Sequence, residues 1–147
     1  MRIPKIVLKV ARWTLGIIVG ILLVVYLGAS LMIAQGINST SGRAMEQFDG
    51  DRIEALIALA DCQKCKLEDR NHAVWALGQL KDKRALPVLY KYRTGQPCDH
   101  FHQICQYEIN KAIRWTEGNS YMLPQIWRVM VRDSPSGRSV SEHKSRG

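Results

Sequence analysis

Two kinds of pattern are missing from this sequence of 147 residues, and one residue type, cysteine, is scarce. No segment alternates strictly between apolar and polar residues as a half-buried β-strand does, so we do not expect a sheet. No serine, histidine and acidic residue stand together in a recognisable motif, and the chain holds no complete catalytic constellation. Cysteine is scarce, with four residues that all lie between Cys62 and Cys105. These absences favour an all-α protein and make a non-enzymatic role the preferred interpretation.

The positive charge is not gathered as it is in a nucleic-acid-binding protein. The formal net charge is +8. Half of it, +4, comes from four residues near the N-terminus: Arg2, Lys5, Lys9 and Arg12. The rest of the chain holds 17 basic and 13 acidic side chains, which are interspersed. A nucleic-acid interface needs basic residues on one face, so we expect no nucleic-acid partner.

A long apolar run, "WTLGIIVGILLVVYLGASLMIAQ" at residues 13–35, follows these cations without a charged residue. At ~1.5 Å per residue, a helix of this length crosses the ~30 Å hydrocarbon core of a bilayer. The positive-inside rule places the N-terminus in the cytoplasm and the following residues across the membrane. We therefore predict a single-pass protein of a bacterial inner membrane with an uncleaved signal anchor. A cleaved signal peptide is the alternative, and it exports the same residues.

Two glycines within the apolar run, Gly16 and Gly20, form a G-x-x-x-G pattern. This spacing lets two membrane helices approach closely, so it predicts a homodimer through the transmembrane helix. The alternative is the ordinary use of glycine in membrane helices.

The chain after the apolar run shows helical periodicity. Ile53, Leu56, Ile57 and Ala60 recur at helical spacing, with Asp49 or Asp51 placed to cap that helix. About five helices are expected after the transmembrane helix, and the fifth of them is "SYMLPQIWRVMVR". The predicted organisation has five parts: a cytoplasmic basic segment 1–12, a transmembrane signal anchor 13–35, a polar linker 36–50, a helical domain 51–132 and a disordered tail 133–147.

The helical domain repeats itself. "IEALIALA" aligns with "ALPVLYKY" and then with "MLPQIWRV", at intervals of 32 and 37 residues, which is typical of a helix-pair repeat. The string "ALGQLKDKRALPVL" resembles HEAT repeats of the short, phycobilin-lyase-like (PBS lyase) type, and the resemblance extends over residues 51–132. It implies a short α-solenoid whose usual role is to bind another protein.

The repeat places Cys98 in the loop that matches the loop of Cys62 and Cys65, and Cys105 is expected about two turns into the following helix, on its apolar stripe. Because equivalent loops of stacked helix pairs lie side by side, we expect Cys62, Cys65, Cys98 and Cys105 to form one cluster at an edge of the solenoid. In an oxidising compartment the favoured chemistry is disulfide bonding. The local pairs Cys62–Cys65 with Cys98–Cys105 and the pairings across the loops all stay open at this point.

Two other chemistries compete with the disulfides. Four thiolates can hold zinc, and His100 or His102 could replace one of them, so zinc is the one cofactor considered. A C-x-x-C motif before a helix can exchange with other disulfides, although no strand precedes it here.

The sequence thus favours a membrane-anchored HEAT-like adaptor or scaffold that binds an unidentified protein at the extracytoplasmic membrane surface. A redox factor or a zinc-binding protein that uses the cysteines is the alternative function.

Overall fold

The structure is a computed structural model that describes residues 5–99, 101–118 and 127–131. It describes the side chains of these residues except those of 5–8 and 129. All regular structure in these residues is helical, which confirms the predicted all-α fold. The elements, in chain order, are α1 (Lys5–Gln47), α2 (Arg52–Asp61), α3 (Leu67–Leu80), a 3₁₀ turn (Lys83–Ala85), α4 (Leu86–Lys91), α5 (Gln106–Thr116) and α6 (Trp127–Met130).

Helix α1 is one continuous helix of 43 residues. The predicted linker 36–50 is therefore wrong as far as Gln47, because the same helix runs through it. Although this stretch is polar in composition, it carries a fully buried stripe at helical spacing: Ile37, Ser41 and Ala44. The small side chains of this stripe let α1 pack closely against α2 and α3. Packing of this stripe, and not hydrophobic content, keeps the segment helical.

Helix α2 begins at a capping box. The Asp51 carboxylate accepts hydrogen bonds from the backbone N–H groups of Ile53 and Glu54 at 2.8 and 2.9 Å. The Glu54 carboxylate in turn accepts from the Asp51 N–H at 2.9 Å. Of the two predicted caps, Asp49 and Asp51, Asp51 is the one present. The Arg84 guanidinium donates a hydrogen bond to the Asp51 carboxylate at 2.6 Å. This bond ties the start of α2 to the 3₁₀ turn before α4.

The core lies between α3 and α5, which form the most extensive helix contact of the domain. Its largest fully buried residues come from four helices: Leu56, Val74, Leu77, Leu89 and Ile109. At Gly78 the two backbones approach so closely that an added Cβ would lie 2.8 Å from the Cα and the Cβ of Ala112. A glycine facing an alanine thus sets the distance between α3 and α5.

A second, smaller core joins the end of the domain to the long helix. Trp127 and Val131 pack with Ala34 and Ile37 of α1, and Trp75 of α3 contacts this cluster as well as the main core. The Arg128 guanidinium also donates to the Leu80 carbonyl at 3.1 Å. The predicted fifth helix is thus helical at Trp127–Met130, while residues 119–126 and the predicted tail lie outside the described residues.

The ends of α2 and α4 are joined at Asp61. Its carboxylate accepts hydrogen bonds from the Lys91 ammonium at 2.5 Å and the Tyr92 hydroxyl at 2.7 Å. These two bonds hold the pKa of Asp61 below its ordinary value of 3.8. The contact stabilises the packing of the two repeats when Asp61 is ionised.

We expect Gly78→Ala to destabilise the domain, because the new methyl group would have to push the α5 backbone away. Overpacking of this kind costs about 1–3 kcal/mol in the free energy of unfolding. The matched control is Gly42→Ala in α1, where nothing lies within 4 Å of the added Cβ. That change should be neutral or stabilising by up to about 1 kcal/mol. Denaturant unfolding of the detergent-solubilised chain, followed by circular dichroism, measures both, and equal stability of Gly78→Ala and wild type would contradict the close approach.

We expect Asp61→Asn to lower stability near neutral pH and to have less effect in acid. Because the folded-state pKa of Asp61 is depressed, its contribution is present above about pH 4 and is lost as the pH falls through the depressed value. The pair is well exposed, so the loss at neutral pH should stay below about 1 kcal/mol. Unfolding midpoints measured from neutral to acid pH test this. The control is Asp49→Asn, an exposed acid without an ion pair among the described residues, which should show no such trend.

Candidate functional site

The four cysteines form two pairs that differ in bonding. Cys62 and Cys65 are joined by a disulfide in the turn between α2 and α3, with their Cα atoms 5.4 Å apart. Cys98 and Cys105 are free thiols whose sulfur atoms lie 3.0 Å apart. The pairings across the loops that the repeat allowed are therefore not the ones present. Of the local pairs, Cys62–Cys65 is bonded, whereas Cys98 and Cys105 are adjacent but not bonded.

The disulfide closes a short turn directly after α2. Cys62 follows the last helical residue, and the Cys65 N–H donates to the Cys62 carbonyl at 3.2 Å. Cys65 also packs against the main core. This pair therefore contributes to the connection between the two helices of the first repeat.

The free pair lies where a loop meets the start of α5. We call residues 93–105 the cysteine loop. Cys98 is exposed and comes from the middle of this loop, whereas Cys105 is buried and is the residue before α5. Both line an open depression of about 440 Å³, together with Asn71, Tyr107 and Glu108. One sulfur of the pair is thus accessible to solvent and the other is shielded.

Gln106 holds the two ends of the cysteine loop together. Its side-chain amide donates to the Tyr92 carbonyl at 3.0 Å and the Ile104 carbonyl at 3.2 Å. Its amide oxygen accepts from the Thr94 N–H at 2.8 Å. Because Gln106 is only 3% exposed, these bonds form in a shielded environment, where leaving them unmade would be costly. The loop ends are consequently closed by a single buried side chain.

The backbone of Cys105 is anchored by a neighbouring helix. The Asn71 side chain of α3 accepts a hydrogen bond from the Cys105 N–H at 2.9 Å. Asn71 thereby satisfies the Cys105 N–H, which lies at the start of α5 where no helical carbonyl can accept it. The contact places the buried sulfur relative to the core.

The Cys98 sulfur occupies the position of a helix-capping acceptor. The backbone N–H of Tyr107, in the first turn of α5, donates to it at 3.2 Å. The Cys105 thiol and this N–H hold the pKa of Cys98 below its usual value, because both stabilise a thiolate. Burial raises the pKa of Cys105, and the adjacent Cys98 raises it further.

A tight turn inside the cysteine loop is built around Asp99. Its carboxylate accepts from the Phe101 N–H at 3.0 Å and the His102 N–H at 3.3 Å, and the His102 ring lies 2.9 Å away. The Phe101 and His102 N–H groups and the His102 ring hold the pKa of Asp99 below its usual value. The turn projects Phe101 into solvent with 88% of its surface exposed.

The structure describes only one of the two histidines that were predicted as accessory zinc ligands. His102 is exposed and is directed to Asp99, not to the sulfurs, while His100 lies outside the described residues. Within the ranges that the structure describes, no group of three or more His, Cys, Asp or Glu side chains is arranged to hold a metal ion. In the described residues the four sulfurs do not form one metal-binding group; they are found as one disulfide and one pair of adjacent thiols.

Sequence reasoning found the cysteines and missed the residues that organise them. Asn71 contributes its side-chain amide oxygen, Gln106 its whole side-chain amide, and Tyr107 its backbone N–H. None of them belongs to a motif, so no local signal identified them. Asp99 had a recognisable signal, since an aspartate in a polar loop frequently accepts hydrogen bonds from backbone N–H groups two and three residues later.

The other predicted residues lie on the long helix. Gly16 and Gly20 are on its exposed part, where nothing lies within 4 Å of an added Cβ, so their face is open in the single chain. Among the described residues, one helix is long and apolar enough to cross a membrane. Its most apolar stretch of 18 residues has a mean hydropathy of 2.7, and 11% of that stretch is buried. Dimerisation through the two glycines stays a prediction.

Comparison with protein families gives one match. The model of the PBS lyase HEAT-like repeat matches residues 69–92, which comprise most of α3, the 3₁₀ turn and all of α4. No curated protein and no solved structure is similar enough to this chain to count as a match. Residues 69–92 therefore form a HEAT-like repeat, and the family match agrees with the string "ALGQLKDKRALPVL" that carried the resemblance.

Proposed function

We propose that this chain is a single-pass membrane protein whose HEAT-like domain acts as an adaptor that binds another protein at the extracytoplasmic membrane surface. The observation that carries the proposal is the continuity of α1. Its N-terminal part exposes apolar side chains such as Leu22, Val24 and Met32, while its last turns are buried by the domain. One rigid helix is thus shared between a membrane-spanning part and a folded domain.

The geometry of α1 supports a domain held close to the bilayer. If residues 13–35 span the membrane, the part from 36 to Gln47 extends only roughly 18 Å beyond it. The domain already contacts α1 at Ala34 and Ile37, through Trp127 of α6. A flexible linker would let the domain move away from the surface, whereas this packing does not. The proposed partner must therefore be reached near the membrane.

The distribution of charge supports the orientation. Lys9 and Arg12 precede the apolar span, and the next cation along the chain is Arg43. Arg43 pairs with Asp69 of the domain at 3.0 Å, so its charge is balanced after folding. The excess of cations on the N-terminal side favours a cytoplasmic N-terminus.

The exposed aromatic residues near the cysteine loop are the proposed contact surface. Phe101 and Tyr107 are 88% and 62% exposed, and both lie beside the start of α5. Exposed aromatic side chains are enriched in protein interfaces because they bury a large area at a small cost in conformational entropy. Phe101 lies on the loop whose ends Gln106 closes, and Tyr107 lies in the first turn of α5, so a partner meets a preformed surface.

We expect the double change Leu22→Arg and Val25→Arg to release the chain from the membrane. Each arginine at the centre of a span costs roughly 2.5–3.5 kcal/mol for insertion. The control is Glu46→Arg, an exposed position on the same helix beyond the proposed span. Alkaline carbonate extraction should leave wild type and control in the membrane pellet, and protease added outside spheroplasts should digest the domain. A wild-type chain recovered in the soluble fraction would rule out the anchor.

We expect a photo-crosslinking amino acid at Phe101 to capture one discrete partner in membranes. The matched control is the same amino acid at Lys83, which is also exposed but lies away from the cysteine loop. The adaptor proposal requires a crosslink from position 101 that is absent from position 83 and is lost, by at least ~10-fold, in Tyr107→Ala. Equal crosslinking from both positions would argue against a specific surface.

A further inference from the structure

We propose that Cys98 and Cys105 form a dithiol that exchanges with exposed disulfides, with Cys98 as the attacking sulfur and Cys105 as the resolving sulfur. This activity is independent of the adaptor role and uses Cys98 and Cys105, not the Cys62–Cys65 motif that the sequence offered as an alternative redox site. It is carried by the distance between the two free sulfurs and by their opposite exposure. Cys62 and Cys65 are already joined to each other, so Cys98 and Cys105 are the two free thiols of the chain.

The geometry of the pair suits the closing step. The sulfur atoms are 3.0 Å apart, about 1 Å more than in a disulfide, so a small movement of the cysteine loop joins them. Asn71 holds the Cys105 backbone and Gln106 holds the two ends of the loop. Because Cys98 lies between these fixed points, its sulfur stays within reach of Cys105 while its own surface is open to solvent.

The surroundings assign a different role to each sulfur. Cys98 is exposed, lines the open depression and accepts the Tyr107 N–H at the start of α5. A thiolate at this position is stabilised by the hydrogen bond and by the positive end of the helix dipole. Cys105 is 7% exposed, so an external disulfide reaches it poorly. These features lower the pKa of the sulfur that can be reached and raise that of the sulfur that cannot.

The reaction balances with an external disulfide as the oxidant. The Cys98 thiolate attacks one sulfur of R–S–S–R, which forms a Cys98–S–R bond and expels R–S⁻, which takes a proton from water. Cys105 then loses its proton to water and attacks the Cys98 sulfur, which forms the Cys98–Cys105 bond and expels the second R–S⁻, which also takes a proton from water. The dithiol loses two electrons and the external disulfide is reduced to two thiols.

Glutathione disulfide is the probe for the test, applied to the full chain in detergent. All variants carry Cys62→Ser and Cys65→Ser, so that Cys98 and Cys105 are the only thiols in the chain. After reduction and removal of the reductant, intact-mass spectrometry follows the products. With both thiols present we expect release of two glutathione molecules per chain and a protein that ends two hydrogens lighter, without a lasting adduct.

The single variants separate the two roles. Adding Cys105→Ser should trap one glutathione on Cys98, because the resolving sulfur is absent. Adding Cys98→Ser should slow adduct formation at least ~10-fold, because the remaining sulfur is buried. A lasting adduct in the chain that keeps both thiols, or equal rates in the two single variants, would overturn the proposal. Circular dichroism tests whether each variant is folded. The chain that keeps both thiols carries no substitution at Cys98 or Cys105, so its result does not depend on a change at the pair.

A pH profile gives a readout that a merely structural pair would not produce. The comparison is between Cys98 in the Cys105→Ser chain and an ordinary exposed thiol, Gln63→Cys in a chain without other cysteines. The rate of adduct formation at Cys98 should rise at a lower pH than at the control thiol, because the Tyr107 N–H stabilises its thiolate. Coincident profiles, or a Cys98–Cys105 bond that dithiothreitol cannot open in the folded chain, would identify the pair as a structural crosslink and refute exchange.

Discussion

The whole structure depends on the packing of the last turns of α1 against the helical domain. Ile37, Ser41 and Ala44 are completely buried there, and two of them are small enough to let neighbouring helices approach. Because this stripe belongs to the same helix as the apolar span, the domain has no freedom to rotate about a linker. The HEAT-like repeat alone is short, and a small helical core is marginal in stability. The end of α1 and the returning α6 add the layers that the repeat itself lacks.

The two cysteine pairs illustrate how similar local chemistry acquires different roles. The two cysteines of each pair are close in sequence, and each pair has one cysteine next to a helix end, Cys62 after α2 and Cys105 before α5. The first pair is bonded and contacts the core through Cys65. The second pair sets an exposed sulfur beside a buried one, in a loop whose ends are held by Gln106 and near the exposed Tyr107. A surface that binds a partner and a dithiol that exchanges with disulfides would thus occupy the same edge of the domain.

Much of the helical pattern could be predicted, because periodic apolar residues and polar caps are local signals. Asp51 capped α2 as expected, and buried residues of α2, such as Ile53 and Leu56, follow the predicted stripe. The prediction was wrong at residues 36–47, where a polar composition indicated a linker. That segment is helical because its few apolar and small residues meet the domain, and such a contact leaves no mark on composition.

The sequence by itself determined the class of the protein: an apolar span, helix pairs at a repeat interval of 32 residues or slightly more, and cysteines confined to one window. These properties follow from spacing along the chain, which the residues carry without any partner. Only the tertiary structure decided which sulfurs lie together, that Asn71 and Gln106 support the cysteine loop, and that α6 returns to α1. These contacts join residues far apart in the chain, and their energies depend on distances that only the folded helices define.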